Sequence, residues 1–61
     1  MDHLPLNDIP MLVSSVNFLL RDGEFENLDE ICSYYDVDRS FIDSLLASAG
    51  YSYDTTRNRI I

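Results

Sequence analysis

The chain has 61 residues, which is enough for one small domain, and we expect residues 1–61 to form a single folded unit. Four arginines and no lysines stand against eleven acidic residues, so the formal net charge is −7. An acidic surface of this kind repels nucleic acid and anionic membranes at long range, and the lone cysteine, Cys32, excludes a disulfide within the chain.

The first 20 residues lack the features of an export signal. Asp2 and Asp8 stand where a signal peptide would carry positive charge, and the longest apolar run is too short to span a membrane. Together with the single unpaired cysteine, these features predict a cytoplasmic protein.

After an irregular lead-in over residues 1–7, the pattern predicts a helix over about residues 9–22. Asp8 is placed to cap this helix, Pro10 lies in its first turn, where the missing N–H costs no hydrogen bond, and Gly23 ends it. The apolar residues at helical spacing form one stripe that should face the core: Ile9, Leu12, Val13, Val16, Leu19 and Leu20.

Two large apolar residues of the first helix, Met11 and Phe18, do not belong to that stripe. They are seven residues apart and therefore lie on the same side of the helix, roughly opposite Ile9 and Val16. Either the hairpin or the N-terminal lead folds over them, or they form a contact surface for another chain, since an exposed apolar pair is costly without cover.

Residues at about 28–49 predict a helix-turn-helix. Asn27 and Glu30 form an Asn version of the capping box at the start of its first helix, Asp38 is placed to cap its second, and Gly50 ends it. The expected buried positions are Leu28, Ile31, Cys32 and Tyr35 in the first of these helices and Phe41, Ile42, Leu45, Leu46 and Ala49 in the second.

Residues at about 51–61 predict a short β hairpin, because Tyr51 and Tyr53 alternate with polar residues ahead of a polar turn. The predicted fold is therefore mainly α with a small β hairpin: three helices in a helix-turn-helix-like, winged-helix-like single domain.

The sequence carries no pattern typical of catalysis. His3 is the only histidine, lysine is absent, and most carboxylates fall where helix caps explain them. Cys32 is expected to be a small buried residue. We therefore predict a non-enzymatic protein without metal, cofactor or small-molecule substrate.

The helix-turn-helix pattern makes DNA binding the second hypothesis. Its contacts would come from Arg39 on the third helix and from Arg57 and Arg59, which are two residues apart in the hairpin. Because four cations are outnumbered by eleven anions, the charge balance disfavours nucleic acid as a partner.

The chain also resembles a family of short bacterial proteins defined only as domain of unknown function 4250. The residues that carry the resemblance, in order, are Leu4-Pro5, Asp8, Met11-Leu12, Ser14, Val16-Asn17, Leu20-Arg21-Asp22, Leu28-Asp29-Glu30, Cys32, Gly50-Tyr51, Tyr53-Asp54 and Asn58. The chain departs from the family pattern at Asp8-Ile9-Pro10, where the proline is displaced by one residue, and at Gly23-Glu24-Phe25, where the connector is one residue longer. The resemblance implies a bacterial source and a protein that stands alone as one short domain; it implies no activity, ligand or catalytic residue.

Three polar residues of the first helix lie within the resembling segments. Asn17 is expected to hydrogen-bond a loop carbonyl, and Arg21 and Asp22 to tie the helix to the hairpin or to the following loop.

The leading functional hypothesis is a protein–protein interaction module that self-associates, as a homodimer, through Met11 and Phe18 of the first helix. The alternative is a winged-helix DNA-binding regulator that uses Arg39, Arg57 and Arg59. A weaker alternative is an acidic mimic of DNA that occupies a basic protein.

Overall fold

Three helices precede a two-stranded antiparallel hairpin in the computed structural model, which describes residues 3–61. Helix α1 spans Ile9–Asp22, α2 spans Leu28–Tyr34 and α3 spans Arg39–Ser48, and the strands are β1, Tyr53–Asp54, and β2, Arg59–Ile60. The predicted fold class, three helices followed by a small hairpin, is therefore confirmed.

Helix α1 begins and ends at the predicted residues. The Asp8 carboxylate accepts a hydrogen bond from the Met11 N–H at 3.1 Å, which satisfies one of the free donors of the first turn. Gly23 ends the helix in the left-handed conformation, with φ of 84°.

The start of α2 departs in one detail from the expected capping box. Asn27 Oδ1 accepts from the Glu30 N–H at 2.9 Å, as predicted. The Glu30 carboxylate, however, accepts from the N–H of Glu26 at 3.1 Å and not from that of Asn27. The Glu30 carboxylate thus satisfies the backbone N–H of the residue before the N-cap.

Helices α2 and α3 both end in a Schellman motif. The Val37 N–H donates to the Cys32 carbonyl at 2.9 Å, and the Tyr51 N–H donates to the Leu46 carbonyl at 2.8 Å. In this motif the residue immediately before the donating N–H must adopt a positive φ. Gly50 fills this position after α3 with φ of 84°, but after α2 it is filled by Asp36 with φ of 57°.

Asp38 is the N-cap residue of α3, yet its side chain makes no capping hydrogen bond. Asp38 was therefore correctly predicted as the N-cap residue, but the prediction that its carboxylate accepts a capping hydrogen bond was wrong. The cap contributes its carbonyl instead, which accepts from the N–H groups of Phe41 at 3.1 Å and Ile42 at 3.3 Å.

One apolar core joins all the elements. Its buried members are Leu4, Leu12, Val16, Leu19, Leu20, Leu28, Ile31, Cys32, Ile42, Leu46 and Ile60. Leu4, from the lead-in, was not expected there. Two predicted core residues are exposed: Phe41 lies about 100° around the helix from Ile42, outside the narrow buried stripe, and Ala49 is already the C-cap.

The backbone pairing of the hairpin extends one residue pair beyond its two short strands. Tyr53 pairs with Ile60 and Asp54 with Arg59. Beyond the strands, Ser52 and Ile61 exchange two backbone hydrogen bonds at 3.0 and 2.9 Å, which extend the ladder by one further pair. Ile60 is buried in the core, so the hairpin packs against the helices through its second strand.

Candidate functional site

The outer face of α1 exposes two large apolar side chains. Met11 is 55% exposed and Phe18 is 54% exposed, so the described residues, 3–61, leave about half of each side chain uncovered. Ser14 lies exposed between them, and Ser15 is partly buried beside it. We call this surface of Met11, Ser14, Ser15 and Phe18 the α1 face.

A groove of about 520 Å³ opens between α1 and the hairpin, next to the α1 face. Three of the four arginines of the chain line it, Arg21 from α1 and Arg57 and Arg59 from the hairpin. The remaining lining residues are Val13, Ser14, Asn17, Phe18, Leu20 and Asn58. Within residues 3–61, no carboxylate lines this arginine groove, although the chain has eleven acidic residues.

The floor of the arginine groove is fixed by Asn17. Its Nδ2 donates to the Ile60 carbonyl at 2.9 Å, and its Oδ1 accepts from the Ile60 N–H at 2.7 Å. The side chain thus binds both backbone groups of a residue 43 positions away and holds β2 against α1. The expected hydrogen bond of Asn17 exists, but its partner is a strand and not a loop.

The outer end of the groove is held by Asn58. This residue has a φ of 55°, and its Nδ2 donates to the Glu26 carbonyl at 2.8 Å. The Tyr53 hydroxyl donates to Asn58 Oδ1 and accepts from the Leu28 N–H at 3.4 Å. A network from the hairpin to the start of α2 therefore fixes the backbone between the two groove arginines.

The hairpin turn positions Arg57 through Asp54. Asp54 Oδ1 accepts from the N–H groups of Thr56 at 2.9 Å and Arg57 at 3.1 Å, which closes an Asx turn. The ion pair between the Arg57 Nε and Asp54 Oδ2 is long, at 3.8 Å, and the Arg57 side chain is 63% exposed. A pair of this kind contributes little and leaves the guanidinium available.

Within residues 3–61, neither Arg21 nor Arg59 forms an ion pair. Neither Arg21 nor Asp22 makes a side-chain hydrogen bond or ion pair to the hairpin or to the next loop in this part of the chain, so the expected tie through these two residues was wrong. The Arg21 guanidinium carbon lies 5.9 Å from the centroid of the Phe18 ring instead, at the outer limit of a cation–π contact.

Arg39 does not line the arginine groove and is paired with two carboxylates. Its Nη1 donates to Asp29 of α2 at 2.7 Å, its Nε donates to Asp43 at 3.0 Å, and the guanidinium lies 5.0 Å from the Tyr53 ring centroid. Burial lowers the pKa of Arg39, but its hydrogen bonds to Asp43 and Asp29 outweigh burial and raise that pKa. This arginine links α2, α3 and β1.

The structure therefore divides the three arginines that the DNA-binding hypothesis combined. Arg57 and Arg59 share one groove, whereas Arg39 does not line it. Sequence reasoning missed that Arg21 joins Arg57 and Arg59. The available signal was the Leu20-Arg21-Asp22 segment at the end of a helix whose flank carries Asn17, but only the fold brings that helix end to the hairpin.

Cys32 is buried, and its environment makes it inert. Burial raises the pKa of the Cys32 thiol, Arg39 opposes that change, and Asp29 and Asp43 add to it. The thiolate needed for nucleophilic chemistry is therefore disfavoured. In residues 3–61 no group of three histidine, cysteine or acidic side chains could hold a metal ion.

A family model matches residues 6–60 of the chain, and that family is described as a domain of unknown function, DUF4250. The chain belongs to the DUF4250 family. The match includes all three helices, both strands and every residue of the arginine groove and the α1 face, so both surfaces are part of the DUF4250 domain itself. No curated protein and no solved structure matches this DUF4250 chain. Within the described residues, none of its helices has the length and apolar character needed to cross a membrane.

Proposed function

We propose that this DUF4250 protein is a non-enzymatic binding module that self-associates through the α1 face. The observation that carries the proposal is the exposure of Met11 and Phe18 on one side of one helix. The exposed pair lies on a chain with a net charge of −7, and such an apolar pair is stabilised when a second apolar surface excludes water from it.

A second copy of the chain is the occupant that fits this face best. Helix α1 has 14 residues and is about 21 Å long. If two copies pack antiparallel about a twofold axis, Met11 of each lies beside Phe18 of the other, and the small side chains Ser14 and Ser15 meet at the axis, where they let the backbones approach.

The charges at the two ends of α1 favour the same antiparallel arrangement. Asp8 lies at the N-terminal end and Arg21 near the C-terminal end, and both are exposed. Antiparallel packing brings the arginine of each copy toward the aspartate of the other, whereas parallel packing places like charges together.

Light scattering coupled to size exclusion tests the proposal at about 50 µM protein, where self-association is governed by mass action. We expect a dimer for the unaltered chain and a folded monomer for Phe18→Glu. Phe41→Glu is the matched control, because Phe41 is similarly exposed, at 49%, but lies on α3. A monomeric unaltered chain, or equal loss of the dimer in both variants, would overturn the proposal.

Crosslinking tests the orientation of the helices. In a Cys32→Ala background, Ser14→Cys lies next to the twofold axis and should form a disulfide-linked dimer under mild oxidation. Ser44→Cys, at an exposed position on α3, is the control and should remain largely monomeric. Equal crosslinking at the two positions would contradict antiparallel packing through α1.

A further inference from the structure

We infer that the arginine groove binds a nucleotide-sized phosphate ester, with the phosphates held by Arg21, Arg57 and Arg59 and the planar base placed against Phe18. The groove lies within a single protomer, but it shares Ser14 and Phe18 with the α1 face, so a nucleotide and a second copy of the chain compete for the Phe18 ring.

Positive charge is separated from negative charge at the groove. Three of the four arginines line it, and none of the carboxylates within residues 3–61 does, in a chain with eleven acids. Within the described residues, Arg21 and Arg59 have no ionic partner, and Arg57 has only a long one. Guanidinium groups bind phosphate oxygens through paired hydrogen bonds, and three that converge without counter-ions of their own are suited to a multiply charged group.

The rest of the groove lining suits a planar base. Phe18 is 54% exposed at the rim, and Ser14 and Asn58 supply polar groups beside the arginines. An exposed aromatic ring beside arginines is the combination on which nucleic-acid bases stack. A bare inorganic anion would use the guanidinium groups but leave the ring and the apolar wall unused.

The size and surroundings of the groove also fit a nucleotide. The groove is open to solvent along one side, and its volume of about 520 Å³ is that of a site for one small ligand. A longer nucleic-acid strand would extend beyond the groove onto a surface that carries the excess negative charge of the chain. The same distribution of charge therefore favours a mononucleotide over a polynucleotide.

Hydrogen bonds hold the backbone of the groove at two points. Asn17 fixes β2 to α1, and Asn58 fixes the hairpin to the start of α2. Ligand binding therefore costs little conformational entropy in the backbone. The main entropic cost is the immobilisation of the arginine side chains.

The experiment is a titration of the ¹⁵N-labelled protein with ATP in low salt and EDTA, followed through backbone amide shifts. We expect saturable shifts at Asn17, Asn58 and Arg59, with tripolyphosphate and adenosine each binding at least about tenfold more weakly than ATP. Arg57→Gln/Arg59→Gln should weaken ATP binding by at least about tenfold. Both side chains are exposed, and the amide spectrum itself reports whether the variant is folded.

The matched control is Ser40→Glu/Ala47→Glu, which makes the chain two charges more negative, as the double arginine variant does, but at exposed positions on α3. ATP affinity in this control should fall by less than about threefold. An equal fall in both variants would mean that only net charge matters and would overturn the inference.

Three further results would overturn it. Absence of saturable shifts up to about 5 mM ATP would exclude a useful site. Equal affinity for tripolyphosphate and ATP would reduce the groove to a simple anion site. Tighter binding of an oligothymidylate than of ATP would identify a nucleic-acid strand as the ligand. Because the dimer covers Phe18, the titration is repeated with the variant Met11→Gln, whose substitution lies outside the groove and leaves the net charge unchanged. A monomeric unaltered protein that binds ATP as expected would overturn only self-association, and failure of both a dimeric unaltered protein and a monomeric Met11→Gln to bind ATP would overturn only the present inference.

Discussion

Asp36 holds a backbone conformation that favours glycine. It ends α2 with φ of 57°, in the same role that Gly50 has after α3. A residue with a Cβ atom pays a conformational cost there, although aspartate tolerates the left-handed region better than most residues. Glycine removes that cost without changing a packing contact, because Asp36 is exposed.

We therefore expect Asp36→Gly to raise the free energy of unfolding by about 0.5–1 kcal/mol, measured by urea denaturation. Asp38→Gly is the control, because Asp38 has φ of −64° and gains nothing from glycine. A loss of stability in Asp36→Gly, or an equal gain in the control, would contradict this explanation.

Cys32 links burial to the pH dependence of folding. Burial raises its thiol pKa in the folded protein above the ordinary value of 9.0. As the pH rises, the thiol therefore loses its proton in the unfolded chain before it does so in the folded protein. The contribution of Cys32 to the free energy of unfolding is thus complete below about pH 9 and is lost above it.

We expect the free energy of unfolding to fall more steeply above about pH 9 in the unaltered protein than in Cys32→Ala. Labelling by a disulfide reagent should be slow in the folded state and fast in denaturant, because the thiol is 3% exposed. Rapid labelling of the folded protein at neutral pH would show that the thiol is accessible.

At the scale of elements, the hairpin depends on α1 more than on its own ladder. Each strand has two residues, and an isolated hairpin of that length is marginal in water. Burial of Ile60 and the two hydrogen bonds of Asn17 to its backbone supply the missing stability.

Asn17→Ala should therefore lower the free energy of unfolding by about 2 kcal/mol, since it removes two hydrogen bonds and leaves the part-buried Ile60 groups without partners. Ser14→Ala, three residues earlier on the exposed side of the same helix, should change stability by less than about 0.5 kcal/mol. Both values are measured by denaturant unfolding. Similar values for the two variants would show that the Asn17 side chain does not hold the hairpin.

Local chemistry made most element boundaries predictable. Asp8 and Gly23 bound α1 because a capping carboxylate and a left-handed glycine act within one turn of the chain. Periodicity was less reliable in α3, where Phe41 fits an apolar pattern yet lies outside the buried stripe. How wide the buried stripe of a helix is depends on its neighbours, and the sequence of one helix does not contain that information.

The site was predictable only in part. The spacing of Met11 and Phe18 placed them together on one side of α1, but whether another element covers that side depends on the packing of the whole chain. The convergence of Arg21 with Arg57 and Arg59 joins residues 36 and 38 positions apart in sequence. No local pattern specifies it, because the contact arises only when the hairpin docks on α1.

At the scale of the whole molecule, charge acts in opposite directions on the two proposed interactions. Two copies of a chain with net charge −7 repel each other, whereas the arginine groove attracts an anion locally. Salt screens both effects.

Raising the salt concentration from about 20 to about 300 mM should therefore strengthen self-association and weaken ATP binding. Sedimentation velocity measures the first and the amide titration measures the second. A change of the same sign in both would show that one electrostatic description does not fit the two surfaces.

The two hydrogen bonds between the Asn17 side chain and the Ile60 backbone also have a consequence for how the protein unfolds. They join residues separated by 43 positions, and α2 and α3 both lie between them in the sequence. The Ile60 amide proton is shielded by a bond that breaks only when the hairpin separates from α1. The rate at which this one amide proton exchanges with deuterium therefore reports on the cooperative unfolding of the domain.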